Sequence, residues 1–278
     1  MLSYHLLTQA LKPVDASPGR LFSYAVMSAV NGFVHHDEYV RRAVDAEQSP
    51  PGDRELSEHV KSLLACDVNP LSELIQTSKG ADQFATRWNG INRRVSLGVK
   101  TMIVAPGIDT KRYAQQGADS QLRQRVMLTF IEHLRKAAGA AARPAGERRL
   151  LVIACRIGLE GSSLADVTEA LYQAPEADLA ECAERLGCSR RTLQRQLHSD
   201  GITFGRIKQA VRVCLSADML RNTHTSLIEV ALAAGFYDSA HFSHAMKVAS
   251  SLSPSDYRSL SAQSEPCPTQ ILSFNVIK

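Results

Sequence analysis

Apolar residues recur along most of the chain with the 3.6-residue period of amphipathic helices. Leu21 to Val44 is apolar and helix-compatible after Ser17-Pro18, a pair suited to the N-cap and first helical positions. Glu55 to Cys66, Pro70 to Ser78 and Gln121 to Lys136 carry the same spacing. One segment differs. Val95, Leu97, Val99, Thr101 and Ile103 occupy every second position, which predicts a strand. A lone strand leaves its ladder unpaired, so a partner is required. Leu150 to Ala154 is a candidate, although so short an apolar run fits strand and helix equally.

Ala137 to Arg149 (AAGAAARPAGERR) is rich in Ala, Gly and Pro and separates two differently patterned regions. The expected organisation is a helix-rich α/β domain over 1–140, a linker region over 141–160, a mainly α domain over 161–260 and a tail over 261–278. Within the α domain, Ser163-x-x-Asp166 is a capping-box-like start with Leu164, Val167 and Leu171 on one face, and Pro175 closes that helix.

An internal repeat follows. Leu179, Cys182, Ala183 and Leu186, then Gly187, recur 48 residues later as Leu227, Val230, Ala231 and Ala234, then Gly235. Beyond each glycine the offset becomes 49, pairing Leu193 with Phe242 and Leu197 with Met246. A helix, a glycine turn and a second helix make a helix-turn-helix, whose second helix enters the DNA major groove. Ser189 and Asp238 are placed as N-caps of the two recognition helices, and Ser226-x-x-Glu229 as a capping box of the second scaffold helix.

Composition sharpens this only through placement. The chain has 278 residues, enough for two cores, with 44% hydrophobic and 22% charged residues and a net charge of +4. That charge is too small to name a partner. From Arg185 to Arg212, however, seven basic residues face one acid, Asp200. The first recognition helix, Arg190 to Ser199, buries Leu193 and Leu197 and turns Arg190, Arg191, Gln194 and Arg195 outward. Arginine pairs with guanine and glutamine with adenine. The plainer alternative, a solvated basic face, gives way to the repeat, the caps and the charge together. The second helix offers Ser239, Ala240, His241, Ser243 and His244, so the first copy is expected to supply most base readout. Phe204, Ile207, Val211, Cys214, Leu215 and Met219 predict one linking helix, on which Arg212 fits a structural ion pair or a phosphate contact.

These residues resemble the AraC/XylS family of transcription regulators over about the last 100 residues. The resemblance rests on LAECAERLGCSRRTLQRQL, Arg212, SLIEVALAAGFYDSAHFSHAMK and LSPSDYR. It implies a seven-helix domain with two helix-turn-helix motifs that binds double-stranded promoter DNA and usually activates transcription by touching RNA polymerase. It places the base-contacting positions on Arg190, Arg191, Gln194 and Arg195, then on Ser239, Ala240, His241 and His244. Two departures stand out. The family commonly has Arg at His244, implying a weaker second grip, and Phe and Gly near Ser250 and Ser251, implying a looser last helix.

For residues 1–140 the live readings are a small-molecule effector domain and a homodimerisation domain. A cupin-like β-barrel is the alternative fold, carried only by His35-His36-Asp37-Glu38-Tyr39. No catalytic residue, cofactor or metal site is expected, since adjacent His35 and His36 point apart and the six cysteines form no C-x-x-C pair. The alternative function is an enzyme or repair protein carrying the same module. Cys155 after LLVIA is read instead as a buried structural thiol, and Pro266-Cys267-Pro268 lacks a reactive setting. No secretory leader or membrane span is evident, so a cytoplasmic location is expected.

Overall fold

The computed structural model describes residues 1–12, 17–104, 109–115, 117–138 and 144–263. The centre of the Ala/Gly/Pro-rich segment, Cys267 and the tail beyond 263 lie outside the described residues. The elements run β1 (Leu2–Tyr4), α1 (His5–Gln9), α2 (Pro18–Val30), β2 (Phe33–His35), α3 (His36–Glu47), α4 (Asp53–Ala65), α5 (Pro70–Gln76) and α6 (Ala81–Arg94). Then come β3 (Val99–Ile103), β4 (Thr110–Ala114), α7 (Gln121–Ala137) and α8 (Arg149–Arg156). Seven helices complete the order: α9 (Ser163–Gln173), α10 (Leu179–Arg185), α11 (Arg190–Ser199), α12 (Phe204–Asn222), α13 (Leu227–Ala233), α14 (Ser239–Ser250) and α15 (Pro254–Ala262). Among the described residues no helix is long and apolar enough to cross a membrane.

Several local expectations are corrected. The apolar stretch Leu21 to Val44 is two helices, because Phe33–His35 pairs antiparallel with Leu2–Tyr4. Leu150 to Ala154 is helical, and β3 pairs antiparallel with β4 instead. The N-cap of α9 is Ser162, whose hydroxyl accepts from Ala165 N, one residue before the expected start. The described strands form two two-stranded sheets, which excludes a cupin-like barrel for these residues. His36 is buried with Nδ1 2.8 Å from Ser3 Oγ, whereas His35 is exposed beside Asp37. Cys155 is exposed rather than buried.

The outer edge of β3 is completed by side chains rather than by a third strand. Trp88 Nε1 donates to Thr101 O at 2.7 Å and Asn92 Oδ1 accepts from Thr101 N at 3.1 Å. Asn89 holds both polar groups of Ile103, accepting from its N at 2.9 Å and donating to its O at 2.8 Å. Helix α6 thereby satisfies backbone groups that would otherwise be orphaned at the edge.

Two apolar cores form, and each draws residues from both sides of residue 140. One joins Leu56, Leu74, Phe84, Trp88 and Phe130 to Val213, Ala217, Phe242, Tyr257 and Leu260. The other joins Phe22, Val26 and Ala29 of α2 to Leu150, Leu171, Leu193, Leu197, Ile207 and Val211. Helix α12 contributes to both. A polar seam runs beside them, with Arg149 Nε on Glu73 Oε1 at 3.0 Å, Arg221 Nη1 donating to Tyr257 Oη at 2.8 Å, and Tyr257 OH donating to Pro70 O at 3.0 Å.

The turns of the repeat are built alike and packed differently. Gly187 (φ +64°) and Gly235 (φ +79°) both sit in the left-handed region. A Cβ at Gly187 would meet nothing within 4 Å, whereas one at Gly235 would lie 2.7 Å from the Pro175 carbonyl carbon. Arg212 belongs to this seam: its Nε donates to Pro175 O at 3.0 Å and its guanidinium lies 5.8 Å from the Phe236 ring centroid. It is engaged by a carbonyl and an aromatic face, tying the entry of one motif to the turn of the other. Helix α14 ends on Ser251 at φ +55°, a left-handed non-glycine position where the family commonly has Gly. The last helix is nevertheless closed, because Ser250 is buried, donates to Met246 O at 2.7 Å and accepts from Leu252 N at 3.3 Å.

Three outcomes follow from this packing. Gly187→Ala should cost about 1 kcal/mol, the strain of a left-handed L-residue, and Gly235→Ala more than about 2 kcal/mol because backbone must also move. Equal losses in urea unfolding would contradict the Pro175 contact. Ser251→Gly should raise stability by about 0.5–1 kcal/mol, read as a higher urea midpoint at constant slope. Asp67 is fully enclosed, and burial pushes its pKa up to about 6 against the pull of Ser72, Asn69 N–H and Ser28. An acid with a raised folded-state pKa gives greatest stability below its unfolded value near 4 and loses it as pH rises through about 6. Asp67→Asn should therefore raise the unfolding midpoint at pH 8 by the equivalent of about 1–3 kcal/mol and leave it nearly unchanged at pH 4.

Candidate nucleic-acid interface

The first motif is capped at both helices. Asp178 accepts from Ala180 N at 2.7 Å and Glu181 N at 2.9 Å, while Glu181 Oε2 accepts from Asp178 N at 2.7 Å, a full capping box on α10. Ser189 Oγ accepts from Thr192 N at 3.1 Å at the start of α11. Leu193 and Leu197 are each 1% exposed. With that face locked inward, Arg190, Arg191, Gln194 and Arg195 are all exposed, the orientation expected from the sequence. Three long cations and one amide thus project from a single fixed helix.

The second motif repeats the frame with different side chains. Ser226 and Glu229 form the expected capping box on α13, and Asp238 Oδ1 accepts from His241 N at 2.7 Å at the start of α14. Phe242, Ala245, Met246 and Ala249 face the core. Ser239, Ala240, His241 and His244 are exposed and Ser243 is half-buried. His241 packs edge-on against Phe236 with centroids 5.3 Å apart, so its ring is positioned by the fold as well as presented to solvent.

The basic island divides by environment. Arg206 Nη1 lies 3.7 Å from Met27 Sδ, Lys208 donates to Glu176 O at 2.8 Å, and Arg212 holds Pro175 O. Burial pulls the Lys208 and Arg212 pKa values down. Arg185, Arg190, Arg191, Arg195 and Arg206 remain as exposed cations. A +6 island along the sequence is therefore a smaller exposed patch centred on α11.

Three features escaped the sequence reading. The Asp178-x-x-Glu181 box has the same spacing as the Ser226-x-x-Glu229 box that was read from the sequence. Tyr237, the extra residue of the second turn, is 88% exposed beside the start of α14. Asn69, in the loop before α5, donates from Nδ2 to Ala249 O of α14 at 2.9 Å, a contact that no local pattern announces.

Comparison with known proteins agrees with this geometry. A family model described as a helix-turn-helix domain matches residues 182–259. The ornithine utilization regulator of Pseudomonas aeruginosa is 40% identical over 81 residues, covering 29% of this chain and 24% of that protein. The transcriptional regulator CdhR of the same organism is 30% identical over 131 residues, covering 46% and 39%. The transcriptional activator RhaR of Salmonella arizonae is 32% identical over 79 residues, covering 28% of each. The chain thus spans between about a quarter and two fifths of these relatives' length. Residues 182–259 thus match a helix-turn-helix domain, and over this carboxy-terminal region the chain is similar to AraC-type transcription regulators.

Proposed function

We propose that the chain is a sequence-specific DNA-binding regulator that reads promoter DNA chiefly with α11. The observation that carries this reading is the outward row of Arg190, Arg191, Gln194 and Arg195 on a helix whose other face is pinned by Leu193 and Leu197. Arginine and glutamine are the side chains that make bidentate contacts to guanine and adenine. Ser189 fixes the start of that helix, and Ser239, Ala240, His241 and His244 on α14 add register and modest selectivity. With both heads on one chain, two successive major-groove faces about 34–36 Å apart come within reach.

An activating role is supported by the similarity over 79 residues to a protein described as a transcriptional activator, and RNA polymerase is proposed as the partner of that role. Residues 1–140 are proposed as the regulatory part, sensing a small-molecule effector or pairing two chains, with 161–260 as the DNA-binding part. What supports this is the shared packing: both cores mix residues of the two parts, so a change in one shifts the populations available to the other.

The test uses the full chain and a duplex selected by it from random sequence. Arg195→Ala and Gln194→Ala should each cost about 1–3 kcal/mol and relax preference at one base position. His244→Ala should cost less. Unchanged affinity in both α11 variants would remove this helix as the reader. A larger loss for His244→Ala would reverse the ranking of the two heads.

A further inference from the structure

We propose that Asn69 is a positioning residue through which residues 1–140 set the second recognition helix on DNA. The proposal rests on the DNA-binding reading above. Its starting point is an accounting problem. The last carbonyls of an α-helix have no partner within the helix and must be satisfied from outside. At the end of α14, Met246 O receives Ser250 Oγ at 2.7 Å and Lys247 O receives Ser251 N at 2.8 Å, both local. Ala249 O is satisfied from 180 residues away, by Asn69 Nδ2 at 2.9 Å.

That amide is itself held on every side. The same nitrogen donates to Ser28 O in the last turn of α2 at 2.7 Å, and Oδ1 accepts from Leu71 N at 2.9 Å, capping α5. The backbone N of Asn69 donates to Asp67 Oδ1 at 3.0 Å. The side chain is buried, so water does not substitute for it. Gly32, just before β2, closes the same spot: a Cβ there would lie 2.2 Å from Ala249 O and 2.7 Å from Asn69 Nδ2. One side chain therefore joins α2, α5 and α14.

The two recognition helices are seated differently. Helix α11 packs mainly on α9 and α10 of its own motif region. Helix α14 packs on α12, α13 and α15, and also on α2, α5 and β2 from the amino-terminal half. In its first two turns, where the base-contacting positions fall, its outward residues are short apart from His241 and His244, so a small displacement of the helix removes contact that no long side chain there can recover. The head with the weaker chemistry is the one whose position the amino-terminal half holds.

The test separates positioning from stability. Asn69→Ser keeps an N-cap for α5, since Ser caps as well as Asn, but is too short for Ala249. Asn69→Asp keeps the α5 cap and places acceptors against two carbonyls, and serves if the first variant is poorly folded. Each is titrated as the full chain on two duplexes: one selected by the wild-type chain, and one with the half-site of the second head scrambled. The wild type should prefer the intact duplex. Both variants should lose about tenfold of that preference, within the usual 5–150-fold range of coupling between sites, and bind the scrambled duplex as wild type does. Val60→Ala, in the α4 core, is the control for lost stability alone and should keep the preference. Variants that retain the full preference overturn the proposal, as does an equal loss in Val60→Ala. A wild-type chain without preference for any selected duplex, or Arg195→Ala binding as wild type does, overturns the DNA-binding reading itself, an outcome distinct from failure of the Asn69 variants.

Discussion

Helix α12 has almost no solvent face, and most of the molecule is arranged to cover it. No residue from Ile207 to Arg221 is exposed. A helix that is apolar on several sides must be enclosed on several sides. The two helix-turn-helix motifs hang from its two ends, and α2 lies along the flank they leave open. This is why Phe22, Val26 and Ala29 share a core with Ile207 and Val211, although they belong to the opposite half of the chain. Burying a Val or Phe side chain contributes about 1.5–3 kcal/mol, so this docking is a substantial part of what holds the halves together.

The carboxy-terminal half was largely legible because its determinants are local. N-caps, capping boxes and turn glycines act within three or four residues, and apolar spacing fixes which helix face turns inward. Ser189, Asp238, Ser226 with Glu229 and the Leu193/Leu197 face are therefore found where the repeat places them. The exposure of Arg190, Arg191, Gln194 and Arg195 followed from that face alone.

The amino-terminal half was less legible because its determinants are distant. In Leu21 to Val44 the pair Asn31-Gly32 is a local stop signal that the apolar spacing masked: Asn31 caps the end of α2, and Phe33–His35 then pairs with residues 2–4. The partner of β3 was missed because Thr110–Ala114 is polar, and asparagines on α6 do work normally done by another strand. Asn69 looks like an ordinary helix cap before Pro70, and its second role depends on a carbonyl far along the chain. Sequence charge overstated the interface for a related reason, since Lys208 and Arg212 spend their donors on carbonyls of Glu176 and Pro175.

On the proposed reading, the seam of Gly235, Pro175 and Arg212 bears on the nucleic acid as much as on the protein. It fixes the pitch and separation of the two heads, so the protein has little freedom to follow a duplex whose half-sites are out of phase. The duplex has to bend or twist instead, and the cost of that deformation depends on the base steps between the half-sites. On the proposed reading, the spacer sequence that no side chain touches becomes part of what is recognised, through its stiffness alone.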